Sequence, residues 1–226
     1  MQKYERLVPI NSLRGRSKIL KVYWITINYK FGMKRIIQSV LFLLVILLSS
    51  CGDVVDYEYS SYRNFFTFHN ETHQDPILAS AMNPLSPGVY CIIKTNFVSG
   101  RYSFAFENNQ GLKSTAPVWF DGIDLRLESW KHVGMNNGLI VGYGNLDNPS
   151  PFYAYDLQCP NCFSTNALPL RSYDLKLSSD GLATCTNCHR KYNLNTGGNI
   201  VSGDSGKKLT RYRASSTGPY GVLGVN

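Results

Sequence analysis

Two runs, FYAYDLQCPNC at Phe152–Cys162 and LATCTNCHRKYNL at Leu182–Leu194, each carry a β-prone apolar and aromatic segment straight into a C-x-x-C pair. The pairs, Cys159/Cys162 and Cys185/Cys188, stand 22 residues apart in a chain with six cysteines. A two-residue spacing lets a tight turn aim both sulfurs to one side, so two such knuckles facing each other complete a tetrahedral sulfur site. Disulfides are the competing reading in an oxidising compartment. They would run as two nearly parallel bridges between the knuckles, or within each pair, where C-x-x-C bridges are usually redox-active. A thioredoxin-like site needs its C-x-x-C to open a helix in an α/β pattern, which these surroundings do not supply.

Outward from the knuckles, the chain from Val89 onward is a series of short β-rich runs: VYCIIKT, RYSFAF, APVWF, GLIVGYG, FYAYDL, LATC, KYNL, LTRYRA and GVLGV. Gly, Asn, Asp and Pro punctuate them at hairpin intervals, as at Asn136-Asn137-Gly138 and Ser179-Asp180-Gly181. No long amphipathic period is present, so the expected fold class is all-β. Cys91, inside GVYCIIKT, reads as a buried strand residue acting as a small hydrophobe.

The surroundings of the knuckles resemble the Rieske ferredoxin-type domain. GLIVGYGNLDNPSPFYAYDLQCPNC has a strand and an aromatic lead into a first ligand loop. GLATCTNCHRKYNLNTGGNIVSGDSGKKLTRYRA has a second loop ending in an aromatic and L-x-T-G, then an L-x-x-Y strand. The resemblance covers about residues 139–214 and implies an antiparallel β-sandwich with a small zinc-ribbon-like metal subdomain, about residues 155–200. A Rieske cluster is held by C-x-H and C-x-x-H loops. Carried over, Cys159 and Cys185 match the two cysteine ligands, Cys188 stands at the second histidine, and Asn161 stands at the first, with Cys162 one residue beyond. Both histidines are absent, so each knuckle is closer to a zinc ribbon or rubredoxin. His189, directly after Cys188, occupies a position where such knuckles adopt a left-handed conformation that histidine tolerates, and it is not expected to be a ligand.

Four thiolates suit zinc or iron, as a single ion or as a 2Fe-2S cluster. Zinc here would be structural, tying together loops that contribute little apolar surface. An all-thiolate cluster would transfer electrons at a potential of about −400 mV, well below histidine-ligated centres. An exported protein has few partners that reducing, so the expected cofactor is zinc, with a 2Fe-2S cluster as the alternative.

The front of the chain points to export. Met33-Lys34-Arg35 is a basic start, Ile36–Leu48 an apolar run of 13 residues, and Leu48-Ser49-Ser50-Cys51 follows. The run is short for a permanent span. Its ending resembles the lipobox of bacterial lipoproteins, which implies cleavage before Cys51, a covalent lipid on that cysteine, and location in the cell envelope, held to a membrane. Residues 33–50 are then the signal peptide, Met33 is the expected start, and residues 1–32 are expected to lie outside the translated protein. Residues 51–85 read as a tether that becomes an irregular first segment, and residues 86–226 as the domain.

Charge supports that division. Nine of the 23 lysines and arginines, but one of the 15 acidic residues, lie in residues 1–50. The formal +8 therefore belongs to the leader, and nucleic acid is excluded as an expected partner. Asp121, Asp124 and Glu128 in WFDGIDLRLESW read as a solvated turn and strand face. His69 and His73, four apart in HNETH, have the spacing of a helical metal pair but no helix signal, and read as tether residues. No Ser-His-Asp order, phosphate loop or nucleophile elbow is present, so no enzymatic activity is expected.

Overall fold

The alternation in VYCIIKT is the key to the layering, because successive strand side chains leave opposite faces of a sheet. In a computed structural model that describes residues 58–226, this run is strand β2, Tyr90–Val98, near the middle of a six-stranded antiparallel sheet. Its neighbours are β3 (Arg101–Asn108), then β4 (Val118–Trp119), on one side. On the other lie β5 (Leu139–Tyr143), β6 (Phe152–Asp156) and β11 (Arg211–Tyr212). Cys91 and Ile93 from β2, Leu139 and Val141 from β5, and Ala154 from β6 enter one core. Tyr90, Ile140, Tyr153 and Tyr155, one residue out of phase, enter another. The central sheet is thus buried on both faces, as its nearly unbroken apolar strands require.

The first face is covered by a three-stranded sheet, β1 (Phe66–His69), β13 (Val222–Val225) and β12 (Ala214–Ser216), together with the helix Pro76–Ala81. The second carries a four-stranded antiparallel sheet in the order β10 (Asn199–Ser202), β9 (Lys191–Asn193), β8 (Leu182–Cys185), β7 (Leu175–Leu177). The fold is all-β, built from three antiparallel sheets with short helical turns between strands. Each fully buried large side chain in these cores contributes ~1.5–3 kcal/mol of transfer free energy. Among the described residues, no helix is long and apolar enough to cross a membrane.

The expected runs from Val89 onward become β2, β3, β4, β5, β6, β8, β9, β11 with β12, and β13. Ser178–Gly181 is the expected β7–β8 turn, with the Gly181 amide bonded to the Ser178 carbonyl. Asn136-Asn137-Gly138 joins no hairpin. It leads out of the 3-10 turn Ser129–His132 into β5, and the Asn137 side chain brackets Thr95 of β2 with bonds of 2.8–2.9 Å.

The segment read as a tether needs correcting from Phe66 onward. FTFH pairs residue for residue with Val222–Val225, and Phe66 and Phe68 are fully buried. The following helix is started by Asp75, whose carboxylate accepts from the Ile77 and Leu78 amides at 2.9 Å, with Pro76 at its first position. Four residues of alternation are too few to stand out, and their partner lies at the opposite end of the chain. The leader and Cys51 lie outside the described residues.

Candidate metal centre

The centre is built by two loops leaving different sheets. The first leaves β6, where Asp156 is wholly buried between the layers. Its Oδ2 accepts from the Met135 amide at 2.6 Å and the Tyr212 hydroxyl at 2.8 Å, and its Oδ1 from the Gln158 amide at 2.8 Å. Burial raises its pKa, and these donors oppose that shift. Gln158 continues the brace: its Oε1 accepts from the Tyr173 amide at 2.6 Å, and its Nε2 donates to Asp174 Oδ1 at 2.5 Å. Asp174 is also bonded to Lys94 of β2. The chain therefore reaches Cys159 already fixed to the central sheet.

Cys159 to Cys162 then turns tightly, the Cys159 carbonyl accepting from the Cys162 and Phe163 amides at 3.1 and 2.9 Å. The second knuckle begins at the end of β8, where the Cys185 carbonyl accepts from the His189 amide at 3.0 Å. His189 has φ 59° and is exposed, the left-handed conformation expected for it. The turn Leu194–Thr196 locks this half to the central sheet: Tyr155 donates to the Leu194 carbonyl at 2.7 Å and Tyr90 to Asn195 Oδ1 at 2.9 Å. Behind it, Gly198 has φ +83°, and a Cβ there would meet Leu209 Cβ at 2.5 Å.

These supports bring all four sulfurs within 4.8 Å of one another. Cys159 Sγ lies 3.7 Å from Cys188 Sγ, and Cys162 Sγ lies 3.8 Å from Cys185 Sγ. Both distances are well beyond a bond, and all four thiols are free. A tetrahedron with metal–sulfur distances of 2.3 Å has edges of about 3.8 Å, so the donor set fits a single zinc- or iron-sized ion. Cys159 and Cys185 are buried, whereas Cys162 and Cys188 are partly open.

The thiols are electrostatically unequal. Burial pushes Cys159 up to about 12, against the Tyr192 hydroxyl and the Asn161 amide. Burial also raises Cys162, against the Asn187 side chain, whose Nδ2 donates to its sulfur at 3.3 Å. Cys188 falls to about 6: burial opposes ionisation, and the backbone amide and guanidinium of Arg190 outweigh it. Arg190 is held in place by the Asp204 and Ser205 carbonyls, at 3.0 and 3.1 Å. Cys188 is thus biased toward the thiolate, whereas burial holds Cys159 and Cys162 toward the neutral thiol, a balance that a bound cation would reverse.

Asn161, expected from the sequence resemblance to stand where a histidine ligand would, makes hydrogen bonds instead. Its Nδ2 donates to the Tyr192 hydroxyl at 2.9 Å and the Lys207 carbonyl at 2.7 Å, and its Oδ1 accepts from the Lys207 amide at 2.9 Å. The Tyr192 hydroxyl is 3.3 Å from Cys159 Sγ and, accepting from Asn161, is left to donate to it. Asp156, Gln158 and Tyr192 escaped sequence reading, and Asn161 was read only as a missing histidine. Only the FYAYD and CPNC motifs flagged their neighbourhood.

A second cluster of ligand-type atoms joins residues read as solvated or as tether. His73 ends the helix Asn70–His73 and lies flat on Phe68, ring centroids 4.8 Å apart. Its Nε2 is 2.9 Å from Asp124 Oδ2 and 3.8 Å from Asp121 Oδ2. Asp121 and Asp124 are not a strand face. Asp121 caps the helix Gly122–Leu127 in a reciprocal capping box with Asp124, and Asp124 is only 2 % exposed. His69 points elsewhere and pairs with Glu71 at 3.2 Å. Cys91 is buried in β2, as its sequence context indicates.

No protein-family model matches the chain, and neither does any curated protein or solved structure.

Proposed function

We propose that this chain is an exported, lipid-anchored protein whose Rieske-like domain holds one zinc ion through Cys159, Cys162, Cys185 and Cys188, as a structural brace in a non-catalytic module of the cell envelope. The observation that carries the reading is the sulfur spacing, with edges of 3.7 and 3.8 Å and every pair within 4.8 Å. Those two edges match the edge of a compact tetrahedral thiolate site. Thiolates on opposite irons of a 2Fe-2S cluster stand a full cluster length apart, which favours a single ion.

Zinc supplies no redox chemistry. Bound here, it would neutralise the thiolates and tie β6 to the four-stranded sheet. The protein's own groups orient the ligands: Tyr192 and Asn187 donate to sulfur, Arg190 favours the Cys188 thiolate, and Asp156 with Gln158 fixes the first knuckle. Those same donors to Cys159 and Cys162 favour the second reading, a 2Fe-2S electron carrier on the same cysteines, because hydrogen bonds to sulfur tune cluster potentials.

Metal analysis with an absorption spectrum separates the two. A colourless protein with one zinc per chain is expected. Visible bands with about two irons and two labile sulfides per chain would replace zinc by the cluster. Neither metal, with the four cysteines oxidised, would leave a disulfide-braced module. The anchor is tested separately in cells: Cys51→Ala should abolish lipid labelling, and lipid labelling of the variant overturns the lipobox reading.

A further inference from the structure

One end of the central sheet gathers exposed aromatics and cations. The β2–β3 hairpin closes at Val98 and Arg101 through Ser99 and Gly100, at φ 50° and 81°, the left-handed pair of a tight two-residue turn. It rigidly presents Phe97, 63 % exposed, and Val98, 43 % exposed. Phe97 packs on Tyr102 with centroids 4.7 Å apart, and Tyr102 on Trp130 at 4.5 Å. Arg101 lies over Trp119 at 4.8 Å and Lys131 over Trp130 at 5.6 Å. His132 meets Phe65, 56 % exposed, edge to face. The acidic Glu128 pairs with Lys131 at 2.7 Å, leaving Arg101 as the cation more available to an outside anion.

We propose that this end of the domain is a second membrane contact. Phe97 and Val98 enter the acyl boundary of an anionic bilayer, the tyrosine and tryptophan rings lie at headgroup depth, and Arg101 binds lipid phosphate. The proposal rests on the reading of Cys51 as a lipid anchor. Two observations favour a lipid surface over a protein partner. The chain from Cys51 to Glu58 spans at most about 25 Å, so an anchored Cys51 would keep the domain close to the bilayer, and from Glu58, bonded to Arg211 of β11, the chain runs to Phe65, which meets His132 in the turn that carries Trp130. The composition, aliphatic and aromatic at the tip with Trp, Tyr and cations behind, is that of an interfacial membrane anchor.

The test uses the processed chain, residues 51–226 with Cys51→Ser, which contains the whole compact unit Tyr57–Asn226. It should cosediment with vesicles containing phosphatidylglycerol and not with pure phosphatidylcholine, and salt should weaken binding. Joint Phe97→Ser and Val98→Ser substitution should lower partitioning about tenfold or more, with metal content unchanged as the sign of an intact fold. Arg101→Gln should lower it about fivefold. No cosedimentation of the parent, or unchanged partitioning in the double variant, overturns the patch while leaving the lipobox untouched. Failure of the Cys51→Ala experiment removes the anchor without altering the vesicle result. A photo-crosslinker replacing Phe97 in cells should label lipid, and labelling of a protein instead overturns the proposal.

Discussion

The four thiols and the His73–Asp121–Asp124 cluster both place ligand-type atoms within 4.8 Å of one another, yet they pose opposite electrostatic problems. In the second, the charges complement each other. The imidazole meets Asp124 at 2.9 Å, Asp124 Oδ2 also accepts from the Asp121 amide, and Asp121 Oδ1 accepts from the Ile123 and Asp124 amides. That cluster is complete as an ion pair and helix cap. The thiols are four like groups, two of them buried, with only a tyrosine, an asparagine, an arginine and backbone amides to oppose their charge. Proximity of ligand atoms is therefore not enough to mark a metal site. Whether the protein already supplies the counter-charge is the better criterion.

That contrast can be broken most directly at Cys159 or Cys185. Either one changed to serine should remove most bound metal and cost on the order of 3 kcal/mol or more, read by metal analysis and chemical denaturation. A chelator should lower the melting temperature of the parent and not of these variants. Retention of stoichiometric metal by both would mean that the thiols are not the ligands. Next in size, Asp156→Ala should destabilise by about 2–4 kcal/mol, because it leaves the Tyr212 hydroxyl and the Met135 and Gln158 amides without their acceptor. If stability holds, the first knuckle does not depend on the central sheet.

His73→Ala should cost about 2–3 kcal/mol near pH 6 with metal content unchanged, since it strips the partner from buried Asp124. The pKa of His73 is raised in the folded state: burial opposes the charge, and Asp124, Asp121 and the more distant Asp75 outweigh it. A raised histidine stabilises fully below its unfolded value of 6.5, and that contribution fades as pH climbs through the higher folded value. The difference in unfolding free energy between parent and variant should therefore shrink from pH 6 toward pH 9. A constant difference would mean that the pair is not ionic, and metal loss on substitution would make it a ligand site. The smallest effect is expected for Tyr192→Phe, about 0.5–1.5 kcal/mol with metal retained, reporting the hydroxyl's bonds to Cys159 sulfur and from Asn161.

The thiol site was legible because its ligands come in local pairs, and knuckle geometry is set by adjacent residues. Even the left-handed backbone at His189 could be anticipated from its place after Cys188. The ion pair was not legible, because His73 and Asp124 are 51 residues apart and a histidine four residues from another suggested a different pairing. Asp121-x-x-Asp124 did carry a capping signal, with the shorter aspartate in place of glutamate at the third position. Asn161 was readable only as a departure from a histidine pattern, and its bonds to Tyr192 and Lys207 depend on segments far along the chain.

Local chemistry, written in residue order, determined the all-β class, the positions of most strands and the grouping of cysteines into two knuckles. These follow from alternation, turn residues and the two-residue spacing, each of which acts over a few positions. The tertiary structure decided what local chemistry cannot encode: that FTFH closes a sheet with the C-terminal strand, that both faces of the central sheet are covered, and that the two knuckles meet. The physical reason is that burial and charge complementarity are properties of neighbours in space. Tyr90 and Tyr155 reach across from the central sheet to hold the second knuckle opposite the first, and nothing in the order of residues places them there.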